Sequence, residues 1–208
     1  MIVVAAGQGR RFGQPKQFAA LGDRPVIEWS LEAARSVARG VVAVVPESFL
    51  GRPAIGKGAD RVIAGGSTRA SSVRRGLAAV PENADVVVVH DAARPLASRE
   101  LFRAVVDAVV AGADGAIPGL GVADTVKRVR GGRVVETLDR NELVVVQTPQ
   151  AFRAEALRRA HAGAPEATDD ASLVEALGLN VVVVPGEYHN LKLTSPEDLA
   201  TAEKWSNR

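Results

Sequence analysis

Gly7 and Gly9, followed closely by Arg10, Arg11 and Lys16, form the first segment of this chain whose residue types could do chemistry. Backbone N–H groups in a turn free of side chains can cradle a phosphate, and neighbouring cations can neutralise it. The same residues also read as a tight glycine turn carrying solvated basic side chains. Two common phosphate loops are excluded by spacing. Phe12 adds a residue between Gly9 and Gly13 that a G-x-G-x-x-G dinucleotide fingerprint lacks, and no G-K-[ST] follows as in a P-loop.

Further polar clusters stand where apolar runs end. His90-Asp91-Ala92-Ala93-Arg94-Pro95 puts an acid and a base on one short loop. Asp91 could accept from substrate hydroxyls and Arg94 could donate to oxyanions, or the two could simply pair and brace the loop. His90 reads as a packing residue at a strand end rather than a base. Gly65-Gly66-Ser67-Thr68-Arg69-Ala70-Ser71-Ser72 precedes an expected helix. Its hydroxyls suit a base or ribose, and equally an ordinary N-cap. Thr148-Pro149-Gln150, Thr168-Asp169-Asp170 and Asn190-Leu191-Lys192-Leu193-Thr194 each add polar groups beside an element end.

The elements that must position these groups follow from periodicity. Short Val- and Ile-rich runs at 2–6, 41–45, 61–64, 86–90, 115–118, 144–147 and 181–184 read as strands, most of them apolar throughout, as strands covered on both faces should be. Amphipathic stretches at 25–38, 68–79, 99–111, 153–162, 171–177 and 196–205 read as helices. The last opens with Ser195-Pro196-Glu197-Asp198, a hydroxyl cap with an acid able to reach back. This alternation predicts an α/β fold of repeated β-α units around a mainly parallel sheet, as one domain over residues 1–208. Residues 122–138 break the pattern, because two alternating runs flank Arg130-Gly131-Gly132 where a helix would be expected. They read as a hairpin projecting from the body. In such folds ligands bind beyond the carboxyl ends of the strands, where the glycine loop and the Asp91 loop both fall.

Composition narrows the function classes. The chain has 208 residues, 47% apolar and 24% charged, enough to bury a sizeable core, and only 4% are aromatic, so that core is aliphatic. The net charge is +2 with basic residues scattered along the chain, which argues against a nucleic-acid partner. With no cysteine and three separated histidines, disulfides, thiolate metal sites and a zinc cluster are excluded. The opening apolar run is too short for a signal-peptide core or a membrane span, so the expected location is the cytoplasm.

Taken in order, the motifs AAGxGxR, PKQ, GGSTRASSV, VHDAARP, ADTVKR, LDRNEL, TPQAF, TDDAS and NLKLTSPEDL resemble the 2-C-methyl-D-erythritol 4-phosphate cytidylyltransferases across nearly the whole chain. The paired alanines of Asp91-Ala92-Ala93-Arg94 look more like this family than like the ribitol-5-phosphate cytidylyltransferases. The resemblance implies transfer of CMP from CTP to 2-C-methyl-D-erythritol 4-phosphate with Mg²⁺, and a Rossmann-like nucleotidyltransferase sheet whose protruding β-arm clasps a second subunit in a homodimer. Arg11 and Lys16 then match the residues that stabilise the charged transition state, and Arg140 and Lys192 those that position the acceptor phosphate. Ala5, Ala6, Gly7 and Gly9 would line the nucleotide, with Gly66, Ser67 and Ser72 at its cytosine and ribose side. Asp91, Arg94, Thr125, Thr148 and Thr168 would hold the acceptor. Thr125, Lys127 and Arg140, in and beside the arm, would reach the partner's site. Ser67 stands where the family often has Asp, and the loop between Arg11 and Lys16 is shorter than in some relatives.

Such a site suits the reaction, because a phosphate monoester carrying roughly −1.5 to −2 at neutral pH must attack a polyanion. Cations are needed more than a general base, since the attacking oxygen is already ionised. Mg²⁺ commonly uses few protein ligands, so phosphate oxygens and water are expected to hold it. The competing readings are the same reaction on ribitol 5-phosphate or another sugar phosphate, a dinucleotide-dependent oxidoreductase, and a non-catalytic dimeric nucleotide-binding protein.

Overall fold

The computed structural model describes residues 1–7, 9, 12, 13, 15–52 and 57–206. Along the chain the strands and helices are β1 (Ile2–Val4), β2 (Ala20–Leu21), β3 (Arg24–Pro25), α1 (Val26–Arg35), β4 (Val42–Val45), β5 (Arg61–Ala64), α2 (Arg69–Ala78), β6 (Val86–Asp91) and α3 (Arg99–Val110). There follow β7 (Gly115–Gly121), β8 (Lys127–Arg130), β9 (Arg133–Thr137), β10 (Val144–Val146), β11 (Gln150–Arg153), α4 (Ala154–His161), α5 (Asp170–Glu175), β12 (Val181–Pro185) and α6 (Pro196–Ser206).

Strand parity explains why the main strands are apolar at every position. Val3, Val41, Ala43, Val45 and Val88 point to the face covered by α1 and α3, where Ile27, Leu31, Leu101, Phe102 and Val105 are buried with them. Ile2, Val42, Val44, Val87 and Val89 point to the other face, against Val73 and Leu77 of α2, Leu157 of α4 and Val174 of α5. Burying a side chain of this size stabilises the fold by about 1.5–3 kcal/mol. A third cluster, Leu21, Val26, Leu193 and Ala202, packs α6 and the segment before it against α1.

The main sheet has eight strands, with β11, β6, β1, β4 and β5 in lateral order. Strands β6, β1, β4 and β5 run parallel, in the register Val89↔Ile2↔Val42↔Arg61. This is the expected Rossmann-like, mainly parallel architecture. Two features depart from the sequence reading. Gln150–Arg153 is an unforeseen strand, antiparallel to both β6 and β7, and β10 also runs antiparallel to β7, with Val144 opposite Gly121. Antiparallel neighbours need no crossover helix, which is why none lies between β7 and β10.

That connection instead carries the hairpin expected at 122–138. Strands β8 and β9 form a separate two-stranded sheet, and every residue in both is exposed. Its turn holds Gly131 and Gly132 at φ 53° and 76°, a left-handed pair that residues with a Cβ adopt at a cost. Arg128 Nε donates to Glu136 Oε2 at 2.6 Å and Lys127 Nζ to Thr137 Oγ1 at 2.7 Å, so charged and polar rungs hold the two strands. The cap expected for the last helix is present, with Asp198 Oδ2 accepting from the backbone N–H of Ser195 at 2.8 Å. No helix among the described residues is long and apolar enough to cross a membrane.

Candidate active site

A cavity of about 490 Å³ opens beyond the carboxyl ends of β1, β5 and β6. Four loops bound it, and each is held by contacts distant in sequence. The glycine loop after β1 contributes Ala5, Ala6, Gly7 and Gly9. It is pinned by Gln17, a buried side chain whose Nε2 donates to the carbonyl oxygens of Ala5 at 2.5 Å and Gly7 at 2.8 Å. Gln17 belongs to a short 3-10 turn, Lys16–Phe18, so the same turn that clamps the loop sets Lys16 on the cavity wall. Sequence reasoning gave Gln17 no role, because its burial is decided by the fold. Its signal was its place in the PKQ motif. Arg11, expected beside Lys16, lies outside the described residues.

The second wall is the turn into α2. A Cβ on Gly65 would stand 2.2 Å from the Cβ of Ala6, so this turn meets the first loop there only as glycine, and one on Gly66 would stand 2.1 Å from Ser71 Oγ, against the start of α2. Thr68 caps α2 in a capping box with Ser71: Thr68 Oγ1 accepts from the Ser71 N–H at 3.0 Å, and Ser71 Oγ accepts from the Thr68 N–H at 2.9 Å. Ser72 Oγ donates to the Thr68 carbonyl at 2.8 Å and accepts from the Gly66 N–H at 3.0 Å. Gly66, Ser67, Thr68 and Ser72 nevertheless all line the cavity, with Ser67 exposed. Capping and lining therefore coexist here, and the sequence had offered them as alternatives.

Charged groups converge on the third side. Asp91, the last residue of β6, takes Arg69 Nε on one oxygen at 3.0 Å and Lys192 Nζ on the other at 2.7 Å. Burial alone would raise the pKa of Asp91, but the adjacent Arg69 and Lys192 charges outweigh it and hold the carboxyl well below its usual range. Lys192, 101 residues further along the chain, is brought here because Leu193 is buried in the α1–α6 cluster and its N–H donates to the Ala93 carbonyl at 2.8 Å.

Behind Asp91 lies a buried polar network. Thr148 Oγ1 accepts from the Asp91 N–H at 3.0 Å and meets His90 Nδ1 at 3.2 Å. Asn190 Nδ2 donates to Gln147 Oε1 at 3.1 Å and to the Thr148 carbonyl at 2.9 Å. Arg94 donates to the Asn190 carbonyl at 2.7 Å and is not among the residues lining the cavity. Arg94 and Thr148 thus brace the Asp91 and Lys192 segments from behind. Burial lowers the His90 pKa to about 4, which keeps the ring neutral and agrees with its reading as a packing residue.

The remaining expected residues do not line this chain's own cavity. Thr125 and Lys127 are exposed on the arm, and Arg140 is exposed at its base, donating to the Ala123 carbonyl. Thr168 is exposed just before α5. The structure brings together Lys16, Asp91, Lys192, the glycine loop and the turn into α2, and leaves the arm group apart.

An α/β sheet with lysines, bare backbone and one clamped carboxylate at its carboxyl edge suits a nucleotidyltransferase, and the comparisons with known proteins give that class. The sequence profile of 2-C-methyl-D-erythritol 4-phosphate cytidylyltransferase matches residues 1–208, and the chain belongs to that family. The enzyme of that name from Rubrobacter xylanophilus is 47% identical over 97% of this chain and 92% of its own length. The one from Frankia casuarinae is also 47% identical, over 97% of this chain and 79% of its own. The crystal structure of the Thermus thermophilus enzyme superposes with a TM-score of 0.85 at 38% identity, covering 100% of this chain and 98% of that one. The chain is a cytidylyltransferase that transfers CMP from CTP to 2-C-methyl-D-erythritol 4-phosphate in isoprenoid biosynthesis, and pyrophosphate leaves. The matched family and these relatives carry the erythritol phosphate rather than ribitol 5-phosphate, and none is an oxidoreductase.

Proposed function

We propose that the cavity holds CTP along the glycine loop and the turn into α2, and that the acceptor phosphate enters on the Asp91–Lys192 side. The observation that carries this reading is the meeting of Lys16 and Lys192 at one cavity, from segments far apart in sequence. Bare backbone at Ala5, Ala6, Gly7 and Gly9 approaches the triphosphate, while Gly66, Ser67 and Ser72 face the cytosine and ribose. Lys16, with Arg11, stabilises the charge that builds on the departing pyrophosphate. Lys192 screens the acceptor phosphate as it approaches the α-phosphorus, and Asp91 sets the acceptor side, braced from behind by Arg94 and Thr148. Several such groups must converge, because one electrostatic donor is worth about 2.7–4 kcal/mol while enzymes commonly need about 8–23.

Among the described residues, the only carboxylate lining the cavity is Asp91, whose oxygens are both engaged by Arg69 and Lys192, and no cluster of three His, Cys, Asp or Glu could hold a metal. A Mg²⁺ carried on the triphosphate would rely mainly on phosphate oxygens and water, since Mg²⁺ commonly uses few protein ligands. When bound it supplies Lewis-acid screening of the phosphates. The enzyme works in the cytoplasm, where CTP is available.

The arm completes the site in a second subunit. Thr125, Lys127 and Arg140 are exposed and stand apart from their own chain's cavity, while Val129, Val134 and Val135 leave apolar side chains exposed on the same arm. A homodimer that buries these valines carries Arg140 to the partner's acceptor side. Pyrophosphate release from CTP and Mg²⁺ with each acceptor tests the substrate, and strong release with the erythritol phosphate over ribitol 5-phosphate is expected. Arg140→Ala and Lys16→Ala proteins are each expected to be poorly active, and mixing them should restore activity through hybrid dimers. No recovery after verified subunit exchange would sink the shared site.

A further inference from the structure

Arg69 opens α2, where the aligned peptide dipoles already present positive charge, so a cation there is out of place unless anions offset it. Two carboxylates do. Arg69 Nε donates to Asp91 Oδ1 at 3.0 Å, and Arg69 Nη1 donates to Asp170 Oδ2 at 2.8 Å. The planar guanidinium therefore spans from the cavity to the first residue of α5. Asp170 is fully covered at 1% exposure, and its other oxygen meets Nε2 of the equally covered His161, the last residue of α4, at 2.9 Å. The connection between α4 and α5 is tied to the same helix start, since Glu166 Oε1 accepts from Thr68 Oγ1 at 3.1 Å and from Arg74 Nη2 at 3.0 Å.

Asp91 thus has two counter-ions with different freedom. Lys192 is 41% exposed at the side chain and has no second carboxylate among the described residues. Arg69 is 23% exposed and held at its far end. We propose that Asp170 is a positioning residue for the acceptor side of the site: it locks Arg69 as the permanent partner of Asp91, so that Lys192 can turn to the incoming phosphate. Without that lock, Arg69 shares the anionic ligand with Lys192, and Asp91 loses its fixed orientation. The proposal rests on the placement of the acceptor beside Asp91 and Lys192.

The test measures CMP transfer by purified Asp170→Asn, Arg69→Lys, the double variant and Lys192→Ala, varying the acceptor at saturating CTP and then CTP at saturating acceptor. For Asp170→Asn, kcat/KM for the acceptor should fall by about tenfold to a hundredfold, the range of a lost charge-assisted hydrogen bond, while the KM for CTP shifts by less than about twofold. The double variant should be no worse than Arg69→Lys alone. Additive losses, equal losses for both substrates, or no loss would each overturn the proposal, because a residue that only staples the core acts independently of Arg69. Circular dichroism and gel filtration report folding. Should Asp170→Asn not fold, the more accessible Arg69→Lys must show the same split between substrates, and its absence overturns the proposal. Lys192→Ala separates the two levels. Silence there removes the acceptor placement itself, whereas a strong acceptor effect there with a silent Asp170→Asn overturns the role of Asp170 alone.

Discussion

The cavity and the arm are built on opposite principles. Around the cavity almost every polar group is tied to another element: Gln17 to the glycine loop, Arg69 to two carboxylates, and Asn190 to the Gln147–Thr148 segment. In the arm every strand residue is exposed, and its rungs are internal to the hairpin. A region fixed by its own chain can present cations at set positions without any partner. A region with no core of its own acquires a fixed position only by packing against something else. Substitutions at the cavity should therefore register strongly within one chain, whereas those on the arm should register mainly through the proposed dimer.

The largest expected effect is on chemistry at the cavity. Lys16→Ala should lower kcat by about a hundredfold or more with the fold intact. Steady-state kinetics on folded protein decide this, and near-normal turnover would remove the proposed mechanism.

Next comes pH-dependent stability behind the cavity. The folded pKa of His90 lies near 4 against 6.5 for the free ring, so between these values the unfolded chain takes up a proton that the fold refuses. This contribution is fully present above about pH 6.5 and is lost as the pH falls towards 4, on the order of 3 kcal/mol across the window. Urea midpoints at neutral and mildly acidic pH should show it, and His90→Gln should flatten the difference. An unchanged slope in that variant would mean that other groups set the acid limit.

A smaller effect is expected at the start of α2. Thr68→Ala removes the cap and should cost about 1 kcal/mol, visible as a lower thermal midpoint. The smallest belongs to the arm, where losing the exposed Arg128–Glu136 pair in Glu136→Ala should change stability by less than about 1 kcal/mol. A larger shift there, measured at a concentration where the protein is monomeric, would break the contrast between the two regions.

Much of this was legible along the chain. The parallel strands β1, β4, β5 and β6 and the flanking helices appear as apolar runs and amphipathic periods, because strands covered on both faces exclude polar residues. The hairpin was legible from alternation around Arg130-Gly131-Gly132, since those glycines supply the left-handed turn. Strand β11 was not, because Gln150–Arg153 is too short and mixed to declare itself without its neighbours β6 and β7. The roles of Arg94 and Thr148 behind the cavity were also hidden, as an Arg beside an Asp looks the same whether it faces a ligand or a carbonyl.

Local pattern by itself determined the layering of the sheet, the projecting hairpin and the loops that carry glycine, hydroxyl and charge, because these depend on residues that are neighbours in the chain. Tertiary structure alone decided which distant groups meet: Lys192 at Asp91, Gln17 under the glycine loop, and Asp170 behind Arg69. Such pairings are set by how buried faces pack, and a burial that joins positions 101 residues apart leaves no periodic trace in either segment.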